Sequence, residues 1–249
     1  PQLVNLSAHL EAWGEVVLHL IPDPLGSPVV GIDWEESCPV WEENLPDVDG
    51  MQRGTPIMVN KSLELVQQQH PGWPAERVAA EAKRQWEEAS QALWRSTVEH
   101  ARALRPRALF GFYDTNHCGG SFSCADNEYA PFLQAYKKLH FQRQWPQCKA
   151  PNTNDEMNWL WDVVGVLEPT LYLYPNNVTF NRAFIDCKLG ESTRIARGVK
   201  QRTGRHVGIY PYAWNDYDPT YPSGRSPFFT SAADLESLFL HAALRHGID

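Results

Sequence analysis

No run of apolar residues in this chain approaches the roughly 18 needed to cross a membrane as a helix, so no spanning segment is expected among its 249 residues. Internal repeats, low-complexity tracts and linker-like shifts in composition are also missing, which argues for a single domain over residues 1–249. The first residues, Pro1-Gln2-Leu3-Val4-Asn5, carry no secretory leader pattern, so any targeting segment is expected to have been removed already. Positive charge is scarce: 22 Lys and Arg stand against 30 Asp and Glu, a net charge of −8. That balance argues against a dedicated nucleic-acid binder. Cysteine is sparse, with five residues and no zinc-like spacing, and the nine histidines show no ligand spacing either. No metal and no cofactor are therefore expected.

Enough apolar and aromatic residue is present for a packed globular body. Three glycosylation sequons occur, at Asn5-Leu6-Ser7, Asn60-Lys61-Ser62 and Asn177-Val178-Thr179. Together they favour a secreted glycoprotein, with a lysosomal location as the alternative. Such compartments permit disulfides, although an odd cysteine count leaves at least one of the five outside any pairing within the chain. A monomer is expected.

Residues 6–19 read as a helix. Val29-Val30-Gly31-Ile32-Asp33-Trp34 is a nearly continuous apolar run, as in a strand buried on both faces. Residues 36–60, punctuated by Pro, Gly and Asp, read as a loop. A long helix follows Pro74 and ends by Pro106, with Val78, Ala82, Trp86, Ala89, Leu93, Thr97 and Leu104 along one face. Further strands are expected at 108–113, 170–174 and 206–210, and helices near 155–167, 189–202 and 231–246. Strands alternating with helices imply an α/β fold with a parallel sheet. In α/β barrels the active site lies where the strands end.

Asp33 and Glu35 are two residues apart at the end of the first strand, so both project to one side, with Trp34 opposite. Two carboxylates crowded at low dielectric cannot both ionise easily, and the one held protonated can serve as an acid. Glycosidic bond cleavage needs that division of labour. Asp-x-Glu also occurs in solvated acidic turns, and on the pair alone both readings stand.

The segment Gly31-Ile32-Asp33-Trp34-Glu35-Glu36-Ser37-Cys38-Pro39 resembles the signature of the animal hyaluronidases, glycoside hydrolase family 56. The likeness is colinear along the chain. It includes Phe110-Gly111-Phe112-Tyr113 followed by Cys118, Asn154-Asp155 with Trp159-Leu160-Trp161, Pro169-Thr170-Leu171-Tyr172, and Pro211-Tyr212-Ala213-Trp214. The resemblance implies a TIM-like (β/α) barrel that hydrolyses β-1,4 bonds after N-acetylhexosamine in hyaluronan, with chondroitin as a second substrate. Glu35 would be the general acid and then base, and Asp33 would orient the substrate's own acetamido group as nucleophile. Tyr113 and Tyr172 would position that group, although a tyrosine at a strand end is also an ordinary core aromatic. Trp214 is a candidate for stacking on sugar. Cys118 and Cys148 would form a disulfide.

Two departures qualify the likeness. The family's Trp-Arg after the acidic pair is Ser37-Cys38 here, which removes a cation near the carboxylates and should raise their pKa values. Family catalytic domains also carry strands before the Pro1-Gln2 segment and a later strand bearing a substrate-facing tryptophan, so the barrel is expected to be incomplete in this chain. Cys124 and Cys187 have no assignable counterpart. Two rival readings follow: a chondroitin-preferring hydrolase, and a non-catalytic glycosaminoglycan-binding homologue.

Overall fold

A computed structural model describes residues 1–34, 37–45, 56–115, 153–173, 178–214, 216 and 230–248. The chain divides into two compact units, one made of Pro1–Gly111 with Asp155–Gly165, the other of Phe112–Asn154 with Val166–Asp249.

The first unit is built around a 30-residue helix. Helix α1 (Leu6–Leu20) starts where the Asn5 side chain accepts a hydrogen bond from the Ala8 amide at 3.2 Å, satisfying one of the orphan donors of the first turn. Strand β1 (Val29–Ile32) pairs with β2 (Leu109–Phe112). Between them lie a 3-10 turn (Trp41–Asn44), α2 (Pro56–Gln69) and α3 (Ala75–Leu104). Two short helices, α4 (Thr153–Glu156) and α5 (Asn158–Trp161), come later in the chain. Helices α1, α2 and α5 all pack on α3.

The stripe on α3 is buried as expected at Val78, Ala82, Trp86, Leu93 and Thr97, and drifts to Ser90, Trp94 and Val98. Ala89 and Leu104 are only half-buried. Gly14 faces His100 on α3, and a Cβ there would stand 2.8 Å from His100 Nε2, so that ring would have to turn aside. Thr97 donates its hydroxyl to the Leu93 carbonyl at 2.7 Å, so His9 Nε2, 2.8 Å from the same oxygen, is its donor. Buried Arg105 donates to the carbonyls of Ile21 at 2.5 Å and Leu104 at 2.8 Å, placing one cation at the negative ends of both helices.

Two sequence expectations are corrected here. Helix α2 occupies part of the stretch read as loop. Its Val59, Leu63 and Val66 have helical spacing and join Trp41, Val78 and Trp86 in one core cluster. Strand β1 is not buried on both faces: Val29, Gly31 and Asp33 are exposed, while Val30, Ile32 and Trp34 are half-buried. The covered face includes Trp34, whose ring lies 5.9 Å from that of Trp94 on α3.

The second unit is a β-α-β arrangement closed by C-terminal helices. Strand β3 (Val166–Leu167) pairs in parallel with β4 (Gly208–Ile209), in the register Val166 to Gly208 and Leu167 to Ile209. Parallel bridges extend the sheet at Tyr113 with Glu168 and at Thr170 with Tyr212. The strand thus begins at Val166, inside the stretch expected to be helical. Val163-Val164-Gly165-Val166-Leu167 is an apolar run whose periodicity cannot separate helix from buried strand. Helix α6 (Val178–Thr203) makes the crossover that parallel strands require. It also starts earlier than its expected bound of 189. It ends at Gly204, whose φ of 72° is the left-handed turn that glycine adopts without penalty. Helix α7 (Ala232–Asp234), a π-helical stretch (Leu235–Leu240) and α8 (His241–His246) complete the unit, with α8 packed on α6.

Candidate functional site

Period-two geometry sorts the residues that follow β3 into two sets. Pro169, Leu171 and Leu173 point to one face and Glu168, Thr170 and Tyr172 to the other, where Glu168 and Thr170 are buried as well and Tyr172 is half-buried. The parallel bridges bring Tyr113 beside Glu168 and Tyr212 beside Thr170. On this face the Tyr113 and Tyr172 hydroxyls are 2.8 Å apart and hydrogen-bonded. Tyr172 stacks on Trp214, with centroids 4.0 Å apart and planes 17° from parallel. Tyr212 meets Tyr113 edge-on at 5.0 Å. Three residues named from the sequence, Tyr113, Tyr172 and Trp214, therefore form one cluster in the second unit. Trp214 remains 37% exposed.

Sequence reasoning missed the charged groups around that cluster. Glu168 is 2% exposed, and its Oε2 has no hydrogen-bond partner among the described residues. Burial pushes its carboxyl up to about 7, from an ordinary value of 4.5. Asp114 follows Tyr113 in a left-handed conformation, at φ 45°. Its Oδ1 accepts from the Thr170 amide at 2.9 Å and from Lys188 Nζ at 2.8 Å. Lys188 comes from α6 and is 5% exposed. An isolated acid between Leu167 and Pro169 was the available signal for Glu168. Nothing in the sequence pairs Asp114 with Lys188, 74 residues away.

In the first unit, Asp33 stands exposed just past β1, on the face opposite Trp34. Glu35 lies outside the described residues, as do Cys118, Cys148 and Asn177. Asn5 caps α1 and Asn60 is exposed on α2. The segment after the acidic pair is firmly held. Cys38 is buried, and its amide donates to Asn44 Oδ1 at 2.9 Å. Its carbonyl accepts from Asn44 Nδ2 at 2.8 Å and from Trp86 Nε1 at 3.2 Å. The position that carries arginine in the resembling family is thus packed against α3 here, in surroundings where a guanidinium would lose its water.

The hyaluronidase family model (glycoside hydrolase family 56) matches residues 1–235. The chain is 30% identical to the hyaluronidase of Apis mellifera over 240 residues, which is 95% of this chain and 54% of that protein. It is 30% identical to Hyaluronidase-1 of Homo sapiens over 222 residues, covering 88% of this chain and 46% of that one. The chain thus spans about half the length of these relatives. Among solved structures, bee venom hyaluronidase matches with a TM-score of 0.73 at 27% identity, covering 100% of this chain and 69% of that one. The same enzyme in complex with a hyaluronic acid tetramer matches with a TM-score of 0.72 at 29% identity, covering 99% and 65%.

Proposed function

Because this chain belongs to the hyaluronidase family, we propose that it is the catalytic region of a secreted endo-β-N-acetylhexosaminidase that hydrolyses β-1,4 bonds of hyaluronan. In this reading residues 1–249 are one catalytic domain on a TIM-like (β/α) barrel. The observation that carries the proposal is the convergence of Tyr113, Tyr172 and Trp214, far apart in sequence, on one sheet face. An aromatic stack beside paired hydroxyls suits a sugar ring, which offers an apolar face and polar edges. Secretion is supported by the sequons at Asn5, Asn60 and Asn177.

The chemistry assigned to these residues is substrate-assisted. Glu35 protonates the glycosidic oxygen as that bond to the anomeric carbon breaks, while the acetamido carbonyl oxygen attacks the same carbon. Asp33 accepts a hydrogen bond from the acetamido N–H and strengthens the nucleophile. Water then opens the cyclic intermediate with Glu35 as base, and configuration is retained. Tyr113 and Tyr172, each limiting the other's rotation through their shared hydrogen bond, hold the acetamido group.

Burial of Cys38 in place of the family's arginine favours a second reading, a glycan-binding homologue without turnover. Glu35→Gln separates the two. The amide cannot give up a proton, so reducing-end release from hyaluronan should fall by about 10²–10⁴, while binding of a hyaluronan oligosaccharide stays within a few-fold. A variant that keeps more than about a tenth of the wild-type rate removes Glu35 from its role. A wild-type protein that binds but never cleaves hyaluronan or chondroitin establishes the second reading.

A further inference from the structure

The C-terminal half of α6 gathers positive charge on an otherwise acidic chain. Between Ser192 and His206 there is no carboxylate, while Arg194, Arg197, Lys200, Arg202 and Arg205 all occur. Helical geometry divides this stretch. Ser192, Ile195 and Val199 are buried, and Arg194, Arg197, Lys200 and Gln201 are exposed at i, i+3, i+6 and i+7. Arg202 lies back across Gly198, where a Cβ would stand 2.9 Å from its Nη1. Its guanidinium thus lies about one turn beyond Arg194.

Ordinary reasons for such a stripe cover only part of it. Cations in the last turn complement the helix dipole, but that effect fades within one turn, and Arg194 and Arg197 precede it. Glu191 neutralises Arg194 at 2.7 Å. Arg197 and Lys200 have no carboxylate within ion-pair distance among the described residues, and like charges at this spacing weaken a helix. On α3, in contrast, Arg84 and Arg95 are each paired with a carboxylate one turn away. The stripe lies before β4, whereas Tyr212 and Trp214 lie past its end.

We propose that this stripe on α6 is a docking surface for a sulfated glycosaminoglycan, separate from the aromatic cluster and independent of turnover. Guanidinium groups present forked donors that match oxyanions, and three of the four cations on this part of α6 are arginines. From Arg194 to Arg202, the last cation within α6, the surface spans about 12 Å. Hyaluronan carries a single carboxylate per disaccharide and offers few charges over that length. A chain also bearing sulfates matches the density better.

The test is binding of a size-defined heparin oligosaccharide and, separately, of a hyaluronan oligosaccharide of equal length, to wild type and to the double variant Arg197→Glu/Lys200→Glu. Heparin affinity should drop by about tenfold or more, as loss of charge-assisted contacts implies, and the salt needed for elution from a heparin column should fall. The control Arg84→Glu/Arg95→Glu alters net charge equally and should stay near wild type. Thermal melting of each variant shows whether it is folded, and Arg197→Gln provides a milder change should the reversal unfold α6. An equal drop in the control would reduce the effect to bulk charge and overturn the proposal. Unchanged heparin affinity would do the same, as would an equal loss of hyaluronan binding, which would make the stripe part of the substrate path.

Discussion

Along α3, Arg84 reaches Glu81 at 2.5 Å and Glu88 at 2.6 Å with its side chain half in solvent. On α6, Lys188 meets Asp114 at 2.8 Å with both side chains almost out of water. The distances are alike and the consequences differ. In solvent, attraction is offset by hydration and side-chain entropy, so an exposed pair contributes little. Hydrogen bonds from Arg84 and Gln85 hold Glu81 down at about 2, yet a pair whose arginine stands half in solvent offers no comparable gain in stability. A buried pair has given up its hydration, and removing one partner leaves a charge that nothing screens. The comparison also separates Asp114 from Glu168. Asp114 has Lys188 and the Thr170 amide, whereas Glu168 Oε2 has no partner among the described residues and burial raises its carboxyl to about 7.

The largest expected effect comes from breaking the buried pair. Lys188→Ala should destabilise the second unit by about 3–5 kcal/mol, read as a lower urea midpoint. Asp114→Asn with Lys188→Met should recover most of that loss, because neither charge then remains buried. A single substitution costing under about 1 kcal/mol would place the pair with the surface bridges of α3.

Next in size is the pH dependence from Glu168. Its folded value of about 7 exceeds the unfolded 4.5, so the native state holds its proton more tightly. Stability from this group is complete below 4.5 and declines as pH rises to about 7. The penalty above that pH is about 3 kcal/mol at most. Glu168→Gln should remove the decline, so that urea midpoints of the variant exceed wild type at pH 7.5 and match it near pH 4. A wild-type protein whose stability climbs through that window because of Glu168 would contradict the assignment.

The smallest effect belongs to α3. Arg84→Ala should change stability by less than about 1 kcal/mol, and less still in high salt. A larger loss by denaturant titration would mean that the exposed network is cooperative.

Much of this molecule is readable from local pattern. The 3.6-residue stripe from Val78 to Thr97 specifies α3 and its buried face, and the helix read at 6–19 is α1. Alternation around β1 places Asp33 and Trp34 on opposite sides. The colinear motifs of the family single out Tyr113, Tyr172 and Trp214, residues that share no local pattern. Pattern was less decisive where two periods fit one run, as at Val163–Leu167, and where Pro and Gly punctuation hid the spacing of Val59, Leu63 and Val66 in α2.

Tertiary structure alone decided which polar groups lose their water. Residue types show that Glu168, Asp114, Lys188 and Cys38 are present, but desolvation depends on what packs around a group, and that is assembled from distant segments. The Tyr113–Tyr172 hydrogen bond spans 59 residues and the Asp114–Lys188 pair 74. Local sequence determines helices and strand faces because their periods are set by the backbone. It cannot determine a protonation state, because the dielectric around a carboxyl belongs to the fold as a whole.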